Sequence, residues 1–397
     1  MTALGALILS LLSVPSPAAT LSFDAGPPQD AIFSADGYHV ARFESAGGED
    51  RWLVDGRVAV RGAAGTLPAG AALSADGAQL LHTVAVADAA GNPLGVAIAL
   101  NGRRVGAPYP EIRSLSLSAG GRNAAYVAKT PQGWAVVSAQ GVGPSFPDPP
   151  ESIFVSNAST AYLVRWQGAV WLYRDHKPVR RLDGPDAALS ADLSRIGAVV
   201  KDGGRSFVEV DGERYGPYAK AQTPVFSRNG RHWASMVVTP DASDGVYDSI
   251  LADGRLTPAA HRAASSLLVD DAGRAFQDVL LMAVDEKIHI HEFYLNGKIL
   301  RKGGRPPRVG LLAGGAHYVY PMTAPRGIVV GFDGRDLEID APLPLPYTPV
   351  EFDGAEEYHY WSLEGNSLRL VCGATDGSDP KNTRCAAKAR GRFTPVE

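Results

Sequence analysis

Nine histidines and 42 carboxylates are the chain's stock of general acids, bases and metal ligands, and their spacing limits what they can do. His289-Ile290-His291 falls in a run that reads as a β-strand, where residues two apart share a face, so both imidazoles could meet one divalent cation. Asp285 and Glu292 are the nearby carboxylates, but Glu292 points to the opposite face of a regular strand. A pair with no third ligand accounts poorly for a metal site and well for a polar strand face. His39, His232 and His317 occupy matching places, two residues after the glycine of a recurring turn, and in an annular fold they would share one rim. Gln79, Asn123 and Arg195 fill that slot elsewhere, so it reads first as a solvent-facing polar position. Asp376-Gly377-Ser378-Asp379 resembles a calcium loop but lacks the spaced acidic ligands and the terminal Glu. No Gly-x-Ser-x-Gly elbow, phosphate-binding Gly-x-x-x-x-Gly-Lys loop or His-Glu-x-x-His pair is present. No cofactor is expected.

Aromatic and cationic residues near turns are the candidates for binding: Tyr109, Arg113, Trp166, Arg174, Tyr215 and Tyr218, with His176, Arg180 and Arg181 close by. Tyr, Trp and Arg are the types that dominate interface centres. The tyrosines of Gly216-Pro217-Tyr218 and Gly106-Ala107-Pro108-Tyr109 equally suit packing between neighbouring sheets, and Arg180-Arg181 reads as a solvated outer-strand pair.

The elements that must position these residues form a repeat, seen most clearly from Leu189 to Tyr218. Two apolar runs, Ile196 to Val200 and Phe207 to Val210, are separated by Lys201-Asp202-Gly203-Gly204-Arg205 and closed by Asp211-Gly212, the pattern of antiparallel strands joined by tight turns. The turn after the first apolar run recurs as Phe33-Ser34-Ala35-Asp36-Gly37, Leu73-Ser74-Ala75-Asp76-Gly77, Leu117-Ser118-Ala119-Gly120-Gly121, Phe226-Ser227-Arg228-Asn229-Gly230 and in looser forms to Phe352-Asp353-Gly354. The interval is about 40 residues, the period of a four-stranded propeller blade. A second series stays in phase with the first: Asp55-Gly56, Asn101-Gly102, Asp211-Gly212, Asp253-Gly254, Asn296-Gly297 and Asp333-Gly334. Asn or Asp before Gly accepts the positive φ of a type I′ turn, so these acids are turn formers first. Each unit should give an innermost strand before the Ser-containing turn, two middle strands, and an outer strand after the Asp-Gly turn.

The run Phe33 to Gly37, the strands Ala124-Ala-Tyr-Val-Ala128 and Trp134-Ala-Val-Val137, then Val210-Asp-Gly-Glu-Arg214 and Gly216-Pro-Tyr218 together resemble the repeats of TolB-like and WD-repeat-like bacterial β-propellers, over residues 31 to 371. The resemblance implies an all-β fold: a single β-propeller of four-stranded blades, eight in number, with seven or nine as the alternatives. It speaks to the blade and not to a site. Nine units are countable; either one of them is decoration, or a strand around Leu21 to Phe23 closes the ring against the last one.

The 45% hydrophobic and 20% charged content suits a packed globular chain, and 44 glycines with 29 prolines suit many turns. A net charge of −4 without basic blocks argues against nucleic acid as a partner. Residues 1–19 read as a secretory signal peptide without a basic leader region, residues 20–374 as the propeller, and 375–397 as a polar, basic tail. No later segment has the length and apolarity of a membrane span. Cys372 and Cys385, the only two cysteines, are expected to pair, tying down the tail and placing the chain in an oxidising compartment, periplasmic or secreted. The expectation is an exported, monomeric, non-enzymatic propeller that binds a protein or envelope component. The alternative is a hydrolase or lyase with its site at the channel mouth.

Overall fold

The computed structural model describes residues 20–26, 31–34, 37–68, 70–182, 187–242, 246–259, 265–282, 289–295, 298–304, 310–312, 317–324, 327–332, 335–339, 345, 351–353, 357–364, 367–374, 378–390 and 392–396. Each repeat folds as its turns dictate. In the unit opened above, the inner strand Ala187–Leu189 pairs with Ile196–Asp202, which pairs with Arg205–Val210, which pairs with Glu213–Tyr218. Gly203 and Gly204, at φ 55° and 75°, make the central hairpin, while Asp211 and Gly212, at φ 53° and 90°, make the outer one. Both turns have positive φ at their two central residues, the conformation that matches the right-handed twist of the strands.

Nine such antiparallel sheets follow one another among the described residues. We number these blades 1 to 9 from their inner strands: Ile32–Phe33, Ala71–Leu73, Ile112–Leu117, Ser152–Val155, Ala187–Leu189, Val225–Phe226, Ser265–Val269, Gly310–Leu312 and Glu351–Asp353. The fold is an all-β propeller of four-stranded blades, and the observed count is the highest of the expected values. Neighbouring blades bury their faces against each other. Ala41, Trp52 and Val60 of blade 1 meet Leu73 and Leu80 of blade 2. Val127 and Val136 of blade 3 meet Tyr162 and Tyr173 of blade 4, and Val208 and Val210 of blade 5 meet Trp233 and Leu251 of blade 6. A blade alone would leave both faces wet, so stacking supplies the core.

The ring closes where the chain's two ends meet. The strand Thr20–Gly26 lies between Ser367–Ala374 of blade 9 and the last strand, Thr394–Val396, with Phe23 opposite Leu370 on one side and Pro395 on the other. Val40 of blade 1 joins Trp361, Leu370 and Cys372 of blade 9 in one cluster, and Trp361 Nε1 donates to Gly37 O at 2.7 Å. The Cys372–Cys385 disulfide lies inside this cluster, both cysteines at 0% exposure. The segment after 374 is more than a tied tail. It forms a short helix, Arg384–Ala389, capped by the Thr383 hydroxyl, and buries Ala386, Ala389 and Phe393 against the seam.

Removing the crosslink should test how the seam is held. The double variant C372A/C385A is expected to lose about 3 kcal/mol, the loop-entropy value for a closure of this length, read from urea unfolding midpoints. A midpoint equal to the parent's would mean that packing alone holds the C-terminal helix.

Candidate functional site

The ring has two faces. We call the back face the one carrying the Ser-containing and Asp-Gly turns, and the front face the one carrying the central hairpins and the blade-to-blade connections. On the back face a polar clasp recurs. The turn hydroxyl accepts a backbone N–H five residues on: Ser34 from His39 at 3.0 Å, Ser74 from Gln79 at 2.9 Å, Ser190 from Arg195 at 2.9 Å and Ser227 from His232 at 3.1 Å. The outer-turn Asp or Asn then accepts the next N–H: Asp55 from Val40 at 3.1 Å, Asn101 from Leu80 at 2.8 Å, Asp211 from Ile196 at 2.8 Å and Asp253 from Trp233 at 3.0 Å. Its second side-chain atom takes the side chain of the slot between. His39 Nδ1 and His232 Nδ1 each lie 2.7 Å from their Asp, and Arg195 Nε donates to Asp211 at 2.7 Å. The expected solvent-facing slot is therefore an intrablade brace, and His39 is also met by Arg392 of the C-terminal segment, Nη1 at 3.0 Å from Nδ1. His317 lies where no side chain is described.

Blade 4 uses the same device without the expected glycine. Asp175 and His176, at φ 48° and 66°, form its outer turn, and Asp175 accepts from Thr160 N at 2.9 Å. His176 Nε2 then lies 2.9 Å from Ser138 Oγ and 3.1 Å from Gly141 O of blade 3, which lacks an Asp-Gly turn of its own. The Ser–His pair is thus an interblade pin.

The aromatic candidates divide. Tyr109 bridges backbone to Val96 and packs edge-on to Tyr126, centroids 6.2 Å apart, in the core between blades 2 and 3. Tyr218 is buried in the core between blades 5 and 6, and Tyr215 packs at a tilt against Trp233, centroids 5.0 Å apart, at its edge, where burial and Glu213 push its hydroxyl pKa up to about 12. Arg174 is half-buried at the back-face end of its strand, and its Nε and Nη2 have no hydrogen-bond partner among the described residues. Arg180, expected in a solvated pair, bonds Glu209 of the next blade at 2.6 Å. His289 and His291 lie in one strand, in register with Met282 and Leu280, but their side chains lie outside the described part, as does Asp285. Among the described residues no three His, Cys, Asp or Glu side chains are grouped to hold a metal ion.

Arg113 and Trp166 are left on the front face. Arg113 begins the inner strand of blade 3, ion-paired to Glu111 at 2.5 Å with its guanidinium 4.7 Å over the Trp134 ring, and Lys129 Nζ lies 5.5 Å from the same ring. The strand is deformed there: Ser114 has φ 52° and the register slips between Arg113 and Ser116. A non-glycine residue at positive φ inside a strand is strained and persists only where its surroundings impose it. This corner opens into a cavity of about 390 Å³ at the channel mouth, walled by Ile32, Ala71, Val96 and Leu115, with Glu111, Arg113 and Ser114 at its polar edge. Trp166, 36% exposed, stands at the central hairpin of the adjoining blade, edge-on to Phe146. Of the residues at this corner, the sequence singled out Arg113 and Trp166 as candidates, while Glu111, Lys129 and Trp134 read as ordinary loop and strand residues.

A closed ring of four-stranded sheets with a mouth cavity on one face defines a β-propeller. No protein-family model and no curated protein matches the chain. Among solved structures it is similar to the Dos1 propeller, at 10% identity and TM-score 0.39 over 76% of this chain and 91% of that one. It is similar also to the propeller domain of the trilobed protease from Pyrococcus furiosus, at 10% identity and TM-score 0.35 over 80% and 96%. The Cps50 (Swd1) propeller from Myceliophteria thermophila matches at 11% identity and TM-score 0.29 over 90% and 99%.

Two histidines make stability depend on acidity. Burial holds the pKa of His82 and His176 below the ordinary 6.5, although backbone carbonyls of Thr83 and Gly141 oppose the shift. The unfolded chain therefore takes up protons first, so stability is complete above about 6.5 and falls as the pH drops through the unfolded value toward the lower folded one. The melting temperature should fall between pH 7.5 and pH 5, and fall less in His176→Gln. An equal fall in both would remove His176 from the account. On the back face, Asp55→Ala should cost about 1–3 kcal/mol by orphaning the buried Val40 N–H, and Asp55→Asn less, read from the same unfolding curves.

Proposed function

We propose that the protein is an exported binding propeller, of the TolB-like group, that holds a segment of an envelope protein at the front mouth of its channel. One observation carries this reading: the deformed inner strand at Arg113-Ser114, which places a cation braced on Trp134 beside a cavity with apolar walls. Apolar walls with a few convergent polar groups are the usual make-up of a recognition site, and Arg and Trp are the residues on which binding energy concentrates. Trp166 in the next blade extends the surface with a half-exposed ring. The membership rests on the repeat residues, Phe33 to Gly37, Val210 to Arg214 and Gly216 to Tyr218. Export is supported by the Cys372–Cys385 disulfide, since such bonds persist in oxidising compartments.

The test starts from the full chain carrying a photo-crosslinking residue in place of Leu115. It should capture one envelope protein. That protein, once purified, should bind the parent saturably, with a Kd about tenfold or more weaker for Arg113→Ala and Trp166→Ala and unchanged for Leu256→Ala on the outer strand of blade 6. Absence of any captured partner, together with turnover of a peptide or carbohydrate by the pure protein, would overturn the reading in favour of an enzyme.

A further inference from the structure

The mouth cavity lies against the edge of an inner strand rather than against one of its faces. Residues 110–115 all line it, those from Ile112 onward within the inner strand of blade 3. Successive side chains of a strand point to opposite faces, so a cavity lined by consecutive residues meets the edge, where the main chain is presented. Packing assigns the two faces. Ile112 and Leu115 pack with Leu81 and Ile98 of blade 2. Arg113 is in register with Val127, which packs with Tyr162 of blade 4.

The ladder shows which main-chain groups reach that edge. Lys129 N donates to Glu111 O at 2.9 Å, and Ser118 N donates to Asn123 O at 2.8 Å. In an antiparallel ladder such hydrogen-bonded pairs alternate with pairs whose N–H and C=O groups turn away from the partner strand. The neighbouring pairs are Ile112 with Ala128 and Leu117 with Ala124, so Ile112 and Leu117 direct their N–H and C=O to the channel. Ile112–Leu117 ends its sheet, and its six residues exceed the two to five of the other inner strands among the described residues. A long open edge is a template for an added strand.

An extended segment laid along this edge would send alternate side chains to its two sides. The blade 2 side offers the apolar walls, Ala71, Val96 and Leu115. The blade 4 side carries Arg113 and Lys129, two cations against the one carboxylate of Glu111, which Arg113 already engages. Charge complementarity there calls for an acidic residue.

We propose that the front mouth takes its partner as a fifth strand of blade 3: an extended segment in which aliphatic and acidic residues alternate. Its main chain bonds Ile112 and Leu117, its aliphatic side chains enter the cavity, and its carboxylates turn toward Lys129. This rests on the reading of the mouth as the binding site and adds the mode of recognition and the class of sequence recognised.

The probe is the capped peptide acetyl-Val-Glu-Val-Glu-Val-Glu-amide, titrated into the full chain by calorimetry. It should bind saturably, and the block order acetyl-Val-Val-Val-Glu-Glu-Glu-amide about tenfold or more weaker. In an extended peptide the valine N–H groups lie along one edge and the glutamate N–H groups along the other. N-methylation of one set should therefore abolish binding, and N-methylation of the other should leave it within about threefold. Ile112→Pro removes the channel-facing N–H at an edge position, where proline is accepted. It should bind about tenfold more weakly than Ile112→Ala, which keeps that donor, with the parent's circular dichroism spectrum. Methylated peptides that bind alike, or Ile112→Pro and Ile112→Ala that bind alike, would overturn strand pairing. A parent that ignores the alternating peptide while the crosslinker at Leu115 still captures its partner would overturn it too and leave the mouth site standing. A crosslinker that captures nothing, beside a peptide that binds as described, would uphold strand pairing and remove the envelope partner.

Discussion

The architecture depends on a single recurring interaction: an Asp or Asn at positive φ in the outer turn of a blade, whose side chain accepts the backbone N–H that opens the second strand. At that point the strand has left the Ser-containing turn and has no sheet partner for this donor. Without the side chain the N–H would be buried unsatisfied, at a cost of about 1–3 kcal/mol. The φ values of 52°, 49°, 48°, 53° and 45° at Asp55, Asn101, Asp175, Asp211 and Asp253 show one geometry repeated. These are the residue types that tolerate it, because a short polar side chain can bond locally.

The same clasp sets the spacing of the ring. The slot residue that it braces lies against the turn glycine of the next blade: a Cβ at Gly77 would fall 2.3 Å from the His39 ring, one at Gly121 2.6 Å from Gln79, and one at Gly273 2.9 Å from His232. Glycine is thus required twice over in these turns, for its backbone angle and for the neighbour that leans on it. Elsewhere Arg195 reaches across to the carbonyls of Gly230 and Arg231. Along the described blades the back face is a polar belt. The front face, joined by hairpins and connections alone, is where the sheets part enough to leave the mouth cavity.

Much of this was legible in the sequence because turn chemistry is local. Ser-Ala-Asp-Gly and Asp-Gly carry their conformations within a few residues, so strand order within a blade followed from them. The turn at Asp175-His176 escaped notice because it lacks glycine, and so did Leu193, which takes φ 62° where other first turns have Gly. The histidines at 39 and 232 looked like a rim of possible ligands because their partners, Asp55 and Asp253, lie 16 and 21 residues away in chain order. The helix at Arg384–Ala389 is too short to show a period, and its stability comes from the seam that it covers. The mouth cavity gathers residues from three blades, and no spacing along the chain encodes that meeting.

The closing strand has a consequence for how the molecule is made. Thr20–Gly26 is paired on both sides by segments from the opposite end of the chain, Ser367–Ala374 and Thr394–Val396. A chain that emerges from a ribosome or a translocation pore with its N-terminus leading must carry this strand bare past every intermediate stage, its ladder waiting on the last segment to arrive. Annular closure therefore cannot come before the last segment is made, and a chain cut short anywhere before blade 9 would lack the partners that cover this strand.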